Sequence, residues 1–308
     1  MPSTSACIDS ATLPRIESAA MWKPLLALAA IAPFPAAAQV PLDPRSVGLA
    51  GAVRADPVAN SALFGNPAGM ARTYVYAAQA AYRRLGPNDT NSFGASIVDS
   101  KTQPSLAVGV GYAYEFADSG APVDIESHDA RMAFSHALIP NQAFLGMGLR
   151  YLRFDRPGST LDASEFTLDA GAVISLSPTI HLGVNGENLL QTDEPTAPRR
   201  AGGGLAYTTD VFVLDLDGFS EWSDLDLDGK KTASFVFAGG AELFLAEAIP
   251  FRLGVERHQG AKETTVSGGI GFSTASEGTG GSQLNVAFRK SIDVDDSFAF
   301  VAGFTLFL

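Results

Sequence analysis

The chain has 308 residues, enough for one barrel-sized domain or two small globular ones. It is 46% hydrophobic and only 18% charged, yet its body contains no apolar run of about 18 residues, the length a membrane-spanning helix needs, so a helical membrane protein is excluded. The net charge of −12 excludes a nucleic-acid partner, which needs a basic footprint.

In chain order, the first feature is Met21 to Gln39, MWKPLLALAAIAPFPAAAQ. Lys23 supplies a positive start, Leu25 to Phe34 an apolar core, and Ala36-Ala37-Ala38 a small-residue cleavage site. This is the pattern of a secretion signal, too short and wrongly flanked for a spanning helix. Residues 1–20 read as a non-native extension, with translation starting at Met21, and residues 21–38 as the signal peptide. The single cysteine, Cys7, lies in the extension. A mature chain free of thiols suits export through an oxidising compartment.

Residues 39–71 do not alternate and form a separate N-terminal segment before a barrel at 72–308. Asp56 followed by Pro57 reads as an N-cap and first helical residue, with a short helix from Pro57 to Phe64. Gly65-Asn66-Pro67-Ala68-Gly69 reads as the turn that stops it. The segment either covers the mouth of the barrel as a leader or plugs its lumen.

From about residue 72 onward, apolar residues recur at period two. Leu106, Val108, Val110, Tyr112, Tyr114 and Phe116 alternate with small or polar residues, as do Phe166, Leu168, Ala170, Ala172 and Ile174. Such segments are strands with one apolar face. Fourteen are predicted, at 72–82, 91–98, 104–116, 127–138, 142–154, 165–176, 179–188, 201–209, 211–220, 232–245, 250–257, 263–274, 282–290 and 296–308. An even number puts both chain ends on one side, as bacterial single-chain barrels require. The fold class is therefore all-β, a transmembrane antiparallel barrel, with a soluble β-sandwich as the alternative.

The connections support the barrel. Those after odd-numbered strands collect acids: Asp118, Asp124, Glu126 and Asp129; Asp155 and Asp162; Asp193 and Glu194; Glu221, Asp224, Asp226 and Asp228; Asp293, Asp295 and Asp296. The opposite turns are short and nearly uncharged, such as Ile139-Pro140-Asn141-Gln142, Ser177-Pro178-Thr179 and Thr209-Asp210. Long outer loops and short periplasmic turns distinguish a transmembrane barrel. With the secretion signal, this places the chain in the outer membrane of a Gram-negative-type bacterium. The last strand sets Phe300, Phe304, Leu306 and Leu308 on one face, the form of a C-terminal signal for the barrel assembly machinery.

Ser46, Gly48, Ala50, Gly51 and Ala52, then Asp56, then Asn66-Pro67-Ala68-Gly69 before the first strand, resemble the outer-membrane long-chain fatty-acid transport superfamily, both its FadL-like transporters and its shorter PorV-type relatives. The resemblance spans about 25 residues of motif, with Gly183-Val184-Asn185-Gly186-Glu187-Asn188-Leu189 as a further touch. It implies fourteen strands and an N-terminal segment folded into the lumen, with Asn66, Pro67, Ala68 and Gly69 setting that segment's geometry.

The inward faces carry Glu115, Arg150, Asp169, His181, Asn185, Glu187, Asp215, Asp217, Arg252, Glu256, Asn285 and Arg289. These line a water-filled pore or pair across a packed lumen, and their mixed signs do not suit a strongly ion-selective channel. Asp224, Asp226 and Asp228 open like a calcium loop, but Phe235 stands where a bidentate glutamate is needed, so no specific metal is expected. None of His128, His136, His181 and His258 sits in a nucleophile motif, so no enzyme is expected, and no cofactor. Outer-membrane lipid and the assembly machinery are the expected partners. Passive transport of small hydrophobic compounds is the leading expectation. A non-transport scaffold or shuttle in secretion or surface attachment is the alternative, because the outer loops are short and acidic. Mass spectrometry of whole cells should find no peptide from residues 1–20; finding one would place the start codon at Met1.

Overall fold

In this computed structural model the described residues are 41–86, 89–103, 105–117, 125–155, 163–190, 197–223, 232–246, 248–274 and 280–308. The extension, the signal and the Asp224–Asp228 motif lie outside them. Among the described residues the strands are β1 (Tyr76–Leu85), β2 (Thr90–Asp99), β3 (Leu106–Ala117), β4 (Ile125–Ile139), β5 (Ala143–Asp155), β6 (Ala163–Ser175), β7 (Ile180–Glu187), β8 (Arg199–Thr208), β9 (Phe212–Ser223), β10 (Thr232–Leu245), β11 (Ile249–His258), β12 (Glu263–Ser273), β13 (Gly281–Ser291) and β14 (Phe298–Phe307). Each pairs antiparallel with its chain neighbours. The barrel closes where β1 meets β14, from Ala77↔Phe307 to Leu85↔Ala299, so no strand edge is left unpaired.

The period-two pattern maps onto the two sides of this wall. On β3, Leu106, Val110 and Tyr112 are exposed while Ala107 and Gly109 are buried. On β14, Phe300, Phe304 and Leu306 face out, and Val301, Gly303 and Thr305 face in. An apolar outside over a polar, close-packed inside is the arrangement of a barrel that crosses a bilayer. Leu308 follows β14; its N–H donates to the Tyr76 carbonyl and its own carbonyl accepts from Lys101 Nζ.

Between β3 and β11 the connections alternate in length. Turns at 140–142, 209–211 and 246–248 are short, and connections at 118–124, 188–198 and 224–231 are longer. We call these ends the short-turn end and the long-connection end. Four acids assigned to outer loops belong to strands instead. Glu126 and Asp129 lie on β4 and Glu221 on β9, because these strands run further than their apolar residues do. Asp155 is the last residue of β5, while Asp293, Asp295 and Asp296 lie between β13 and β14 as expected.

The segment before the barrel holds helices α1 (Pro44–Gly48) and α2 (Ala59–Phe64) and a 3-10 turn, Pro67–Arg72. Sequence reasoning missed α1. The Asp43 carboxylate caps it, accepting from Ser46 N–H at 2.8 Å and Ser46 Oγ at 2.9 Å, with Pro44 opening the helix. The same Asp-Pro pair at 56–57 does not cap α2, which starts at Ala59. The Asp56 carboxylate is taken by arginines, and Ser61 Oγ closes the turn instead, donating to the Val58 carbonyl at 2.6 Å and accepting from Val58 N–H at 3.1 Å. Nor is Gly65–Gly69 a simple turn. Asn66 caps the 3-10 turn through Ala68 N–H and Pro67 opens it, which delays β1 to Tyr76 rather than residue 72.

This segment runs inside the barrel. Val47 packs with Leu85, Ala299 and Val301, while Leu63 and Met70 pack with Val98, Ala107 and Ala133. All of these wall residues are on inward faces. Many of the segment's partners lie in the half of the barrel nearer the short-turn end, such as Ser96 late in β2, Ser135 late in β4, Gly146 early in β5 and Glu242 late in β10, while Val47 and Arg54 reach Leu85 and Glu187 at the other ends of β1 and β7. Its backbone comes so close to the wall that glycine is required at several points, Gly146, Gly183 and Gly254 among them. A β-carbon at Gly146 would overlap Ala68 N, and one at Gly183 would overlap the Arg54 carbonyl. Gly146→Val should keep the barrel but unseat the 3-10 turn, costing about 1–3 kcal/mol of overpacking. The expected readout is new trypsin cleavage after Arg72 with unchanged heat-modifiable gel mobility.

Candidate functional site: the segment and the lumen wall

The apolar outside leaves the barrel's charges to its interior, where they must be paired. Two chains of alternating charge do this, and both begin in the segment. In the first, Asp56 accepts from Arg72 at 2.9 Å and from Arg45 at 2.8 Å. Arg45 continues to Glu242 at 2.9 Å, Glu242 to Arg252 at 2.7 Å, and Arg252 to Asn285 at 2.8 Å. Arg252 and Glu242 are each only 2% exposed. In the second, Arg54 joins Asp217 at 3.2 Å and Glu187 at 3.0 Å. Arg200 lies 3.8 Å from Glu187 and 2.7 Å from Glu221, which reaches His258 at 3.3 Å. The Arg54 guanidinium also stacks 3.8 Å over the Phe219 ring.

Asn66 fixes the far end of the segment. Its Nδ2 donates to the Arg54 carbonyl at 2.8 Å and to the Ala172 and Val184 carbonyls at 3.3 Å each, so one side chain ties the segment to itself, to β6 and to β7. Pro67 fixes the backbone after it, Ala68 is fully buried with its carbonyl accepting from Ser135 Oγ at 2.8 Å, and Gly69 packs against Pro57.

Every lumen residue singled out from sequence faces inward. Arg150 donates to Asp129 at 2.8 Å and to Asn188 Oδ1 at 2.9 Å. Asp169 accepts from Asn188 N–H at 2.8 Å and lies 4.0 Å from Arg131. His181 Nδ1 shares a 2.9 Å hydrogen bond with Ser175 Oγ. Asp215 accepts from Asp56 N–H at 3.1 Å, and Arg289 donates to Glu256 at 2.5 Å. The structure does not gather them into one site. Asp215 and Arg252 face the segment, while Arg150, Glu187, Glu256 and Arg289 surround the half of the lumen nearer the long-connection end. There Arg83 pairs with Glu115, and Asp129 bridges Arg131 and Arg150.

The residues missed from sequence are mostly the partners: Arg45, Arg54 and Arg72 in the segment, and Asp129, Arg131, Arg200, Glu221 and Glu242 on the wall. For the strand residues a signal was present, since a charged residue in phase with inward positions must be inside. For the segment no periodicity says where a side chain points. Among the described residues no group of three or more His, Cys, Asp or Glu is placed to hold a metal ion.

The class defined by these observations is a closed fourteen-strand antiparallel barrel with an apolar coat, a charged lumen and an N-terminal segment seated within it. The same barrel occurs in solved structures. The CymD monoaromatic hydrocarbon channel matches with a TM-score of 0.61 at 12% identity, covering 86% of this chain and 96% of that one. A Pseudomonas aeruginosa FadL homologue matches with a TM-score of 0.58 at 14% identity over 87% and 97%. The Pseudomonas putida toluene transporter TodX matches with a TM-score of 0.59 at 11% identity over 85% and 96%. The fold is thus the fourteen-strand barrel of the FadL-like channels, and at this identity the likeness is one of fold. No family model and no curated protein matches the sequence.

Asp56 yields a pH prediction. Burial alone would raise its pKa, but Arg45 and Arg72 outweigh burial and hold it below the ordinary value of 3.8. The pairing therefore stabilises the seated segment at neutral pH and is lost as pH falls through the lowered value. Amide-exchange protection of residues 53–56, corrected for intrinsic rates, should fall as pH drops below 3.8. Asp56→Asn should lower protection at neutral pH and reduce that dependence.

Proposed function

We propose that this protein is a passive channel of a bacterial outer membrane, admitting small compounds of low polarity, with the 41–72 segment as the plug that governs passage. One observation carries the reading: a segment noncovalently seated inside a closed, apolar-coated barrel. An obstruction held by packing and ion pairs can yield, whereas a solid core has no reason to be supplied by a separate stretch of chain. The fold supports it, since barrels of this shape include channels described as carrying monoaromatic hydrocarbons and toluene. Solute would move by diffusion, with no catalytic step and no cofactor. Lipid would contact the outward apolar band, and the assembly machinery would read the face of Phe300, Phe304, Leu306 and Leu308.

A second reading, a non-transport scaffold or shuttle in secretion, draws support from the long-connection half of the lumen. Paired charges line it rather than a continuous apolar surface, which suits a polar guest better than a hydrocarbon. Uptake of labelled hydrophobic compounds should be faster in cells carrying the gene than in cells without it. Unchanged uptake across several ligands would overturn the channel reading, and co-purification of a secreted protein would favour the second.

A further inference from the structure

The two ends of the segment are held by apolar packing, Val47 at one and Leu63 with Met70 at the other. The span between them is held differently. Val53 N–H and Arg54 N–H both donate to Asp217 Oδ2, at 3.0 and 3.1 Å, and Asp56 N–H donates to Asp215 Oδ2 at 3.1 Å. Arg54 Nη1 adds a 3.2 Å bond to the same Asp217 oxygen. Asp215 and Asp217 stand two apart on β9, so both point inward, and they are 1% and 4% exposed. Two side chains of one strand thus grip three backbone amides of the segment.

The grip is incomplete. Asp215 Oδ1, Asp217 Oδ1 and Arg54 Nε are buried without a hydrogen-bond partner among the described residues. Each carboxylate holds the segment by one oxygen and leaves the other unsatisfied, so the seated state is less favourable here than at the helix cap of Asp43, whose Oδ2 takes two donors and Oδ1 a third. The chain entering this span turns sharply where it leaves α1, with the N–H groups of Ala50 and Gly51 donating to the Val47 and Ser46 carbonyls. Ala50 and Gly51 have φ of 53° and 79°, the left-handed region, just before Val53.

We propose that Asp215 and Asp217 are the latch of the plug, positioning residues whose hold on residues 53–56 keeps the passage shut, with Ala50-Gly51 as the pivot on which that span swings clear. This rests on the channel reading above. A latch of this kind is local: once the β9 bonds are lost, the span is held by polar contacts of Arg54 with Glu187 and Asn66 and of Asp56 with Arg45 and Arg72, while the apolar clusters at both ends stay packed.

The test compares the full-length mature protein with Asp215→Ala/Asp217→Ala and Asp215→Asn/Asp217→Asn in planar bilayers, with trypsin cleavage after Arg54 as an independent measure of release and heat-modifiable mobility as the control for a folded barrel. The Ala variant, which removes the acceptors, should raise conductance at least about tenfold and expose Arg54. The Asn variant, whose amide oxygens still accept from the three N–H groups, should stay close to wild type. An Ala variant changed in neither respect overturns the latch, as does a conductance rise without cleavage or an Asn variant as open as the Ala variant. Cleavage without any conductance change upholds the latch and overturns the channel reading instead. If the double Ala variant fails the mobility control, Asp215→Ala alone is judged by the same outcomes.

Discussion

Charge pairing inside an apolar-coated wall is the constraint on which the rest of this molecule depends. The strands turn hydrophobic residues outward, so every charge on their other face is committed to the interior. Asp215, Asp217 and Glu242 are all nearly fully buried; the segment supplies Arg54 to Asp217, Arg45 to Glu242 and the Asp56 N–H to Asp215. Breaking a buried pair by removing one partner costs about 3–5 kcal/mol, because a charge is left uncompensated. Wall and segment are therefore interdependent: Asp217 on β9 is paired by the segment's Arg54, and Glu242 on β10 is shared between the segment's Arg45 and the wall's Arg252.

That dependence shapes the backbone as well as the charges. To bring Arg54 between Asp217 and Glu187, the chain must run against β7, where Gly183 gives it room. To tie off the far end, Asn66 must reach carbonyls of both β6 and β7. The lumen is divided as a result. Its short-turn half is filled by packed segment, and its other half is surrounded by pairs such as Asp129 with Arg131 and Arg150, and Glu221 with Arg200.

Much of this was legible in the sequence, for reasons that differ by region. Strand alternation is a direct record of the two-sided wall, so all fourteen strands were found with boundaries close to those observed. Where the boundary slipped most, at β1, a 3-10 turn capped by Asn66 had replaced extended chain, and local capping does not announce its own length. Asp43-Pro44 and Asp56-Pro57 carry the same signature, yet only the first caps a helix. Asp56 is claimed by Arg45 and Arg72, contacts no local pattern reveals. Asp129 and Glu221 were assigned to loops because acids suggest loops, although both are in phase with inward positions. The inward residues themselves were readable by parity, but their partners were not. Pairs such as Arg45 with Glu242 depend on the path of a segment without periodicity.

Pairing also bears on what such a lumen can pass. A bare ring of one sign would raise a strong field and select ions of the other sign. Here the acids and bases sit within hydrogen-bonding reach of each other, and their fields largely cancel over a few ångströms. An ion crossing the long-connection half would have to compete with partners already in place, so it gains little from the wall. A neutral solute breaks none of those pairs. On the channel reading, the same charge balance that holds the segment in place thus leaves neutral compounds as the class least opposed by the lumen, and makes departure of the segment, rather than the lining, the step that decides passage.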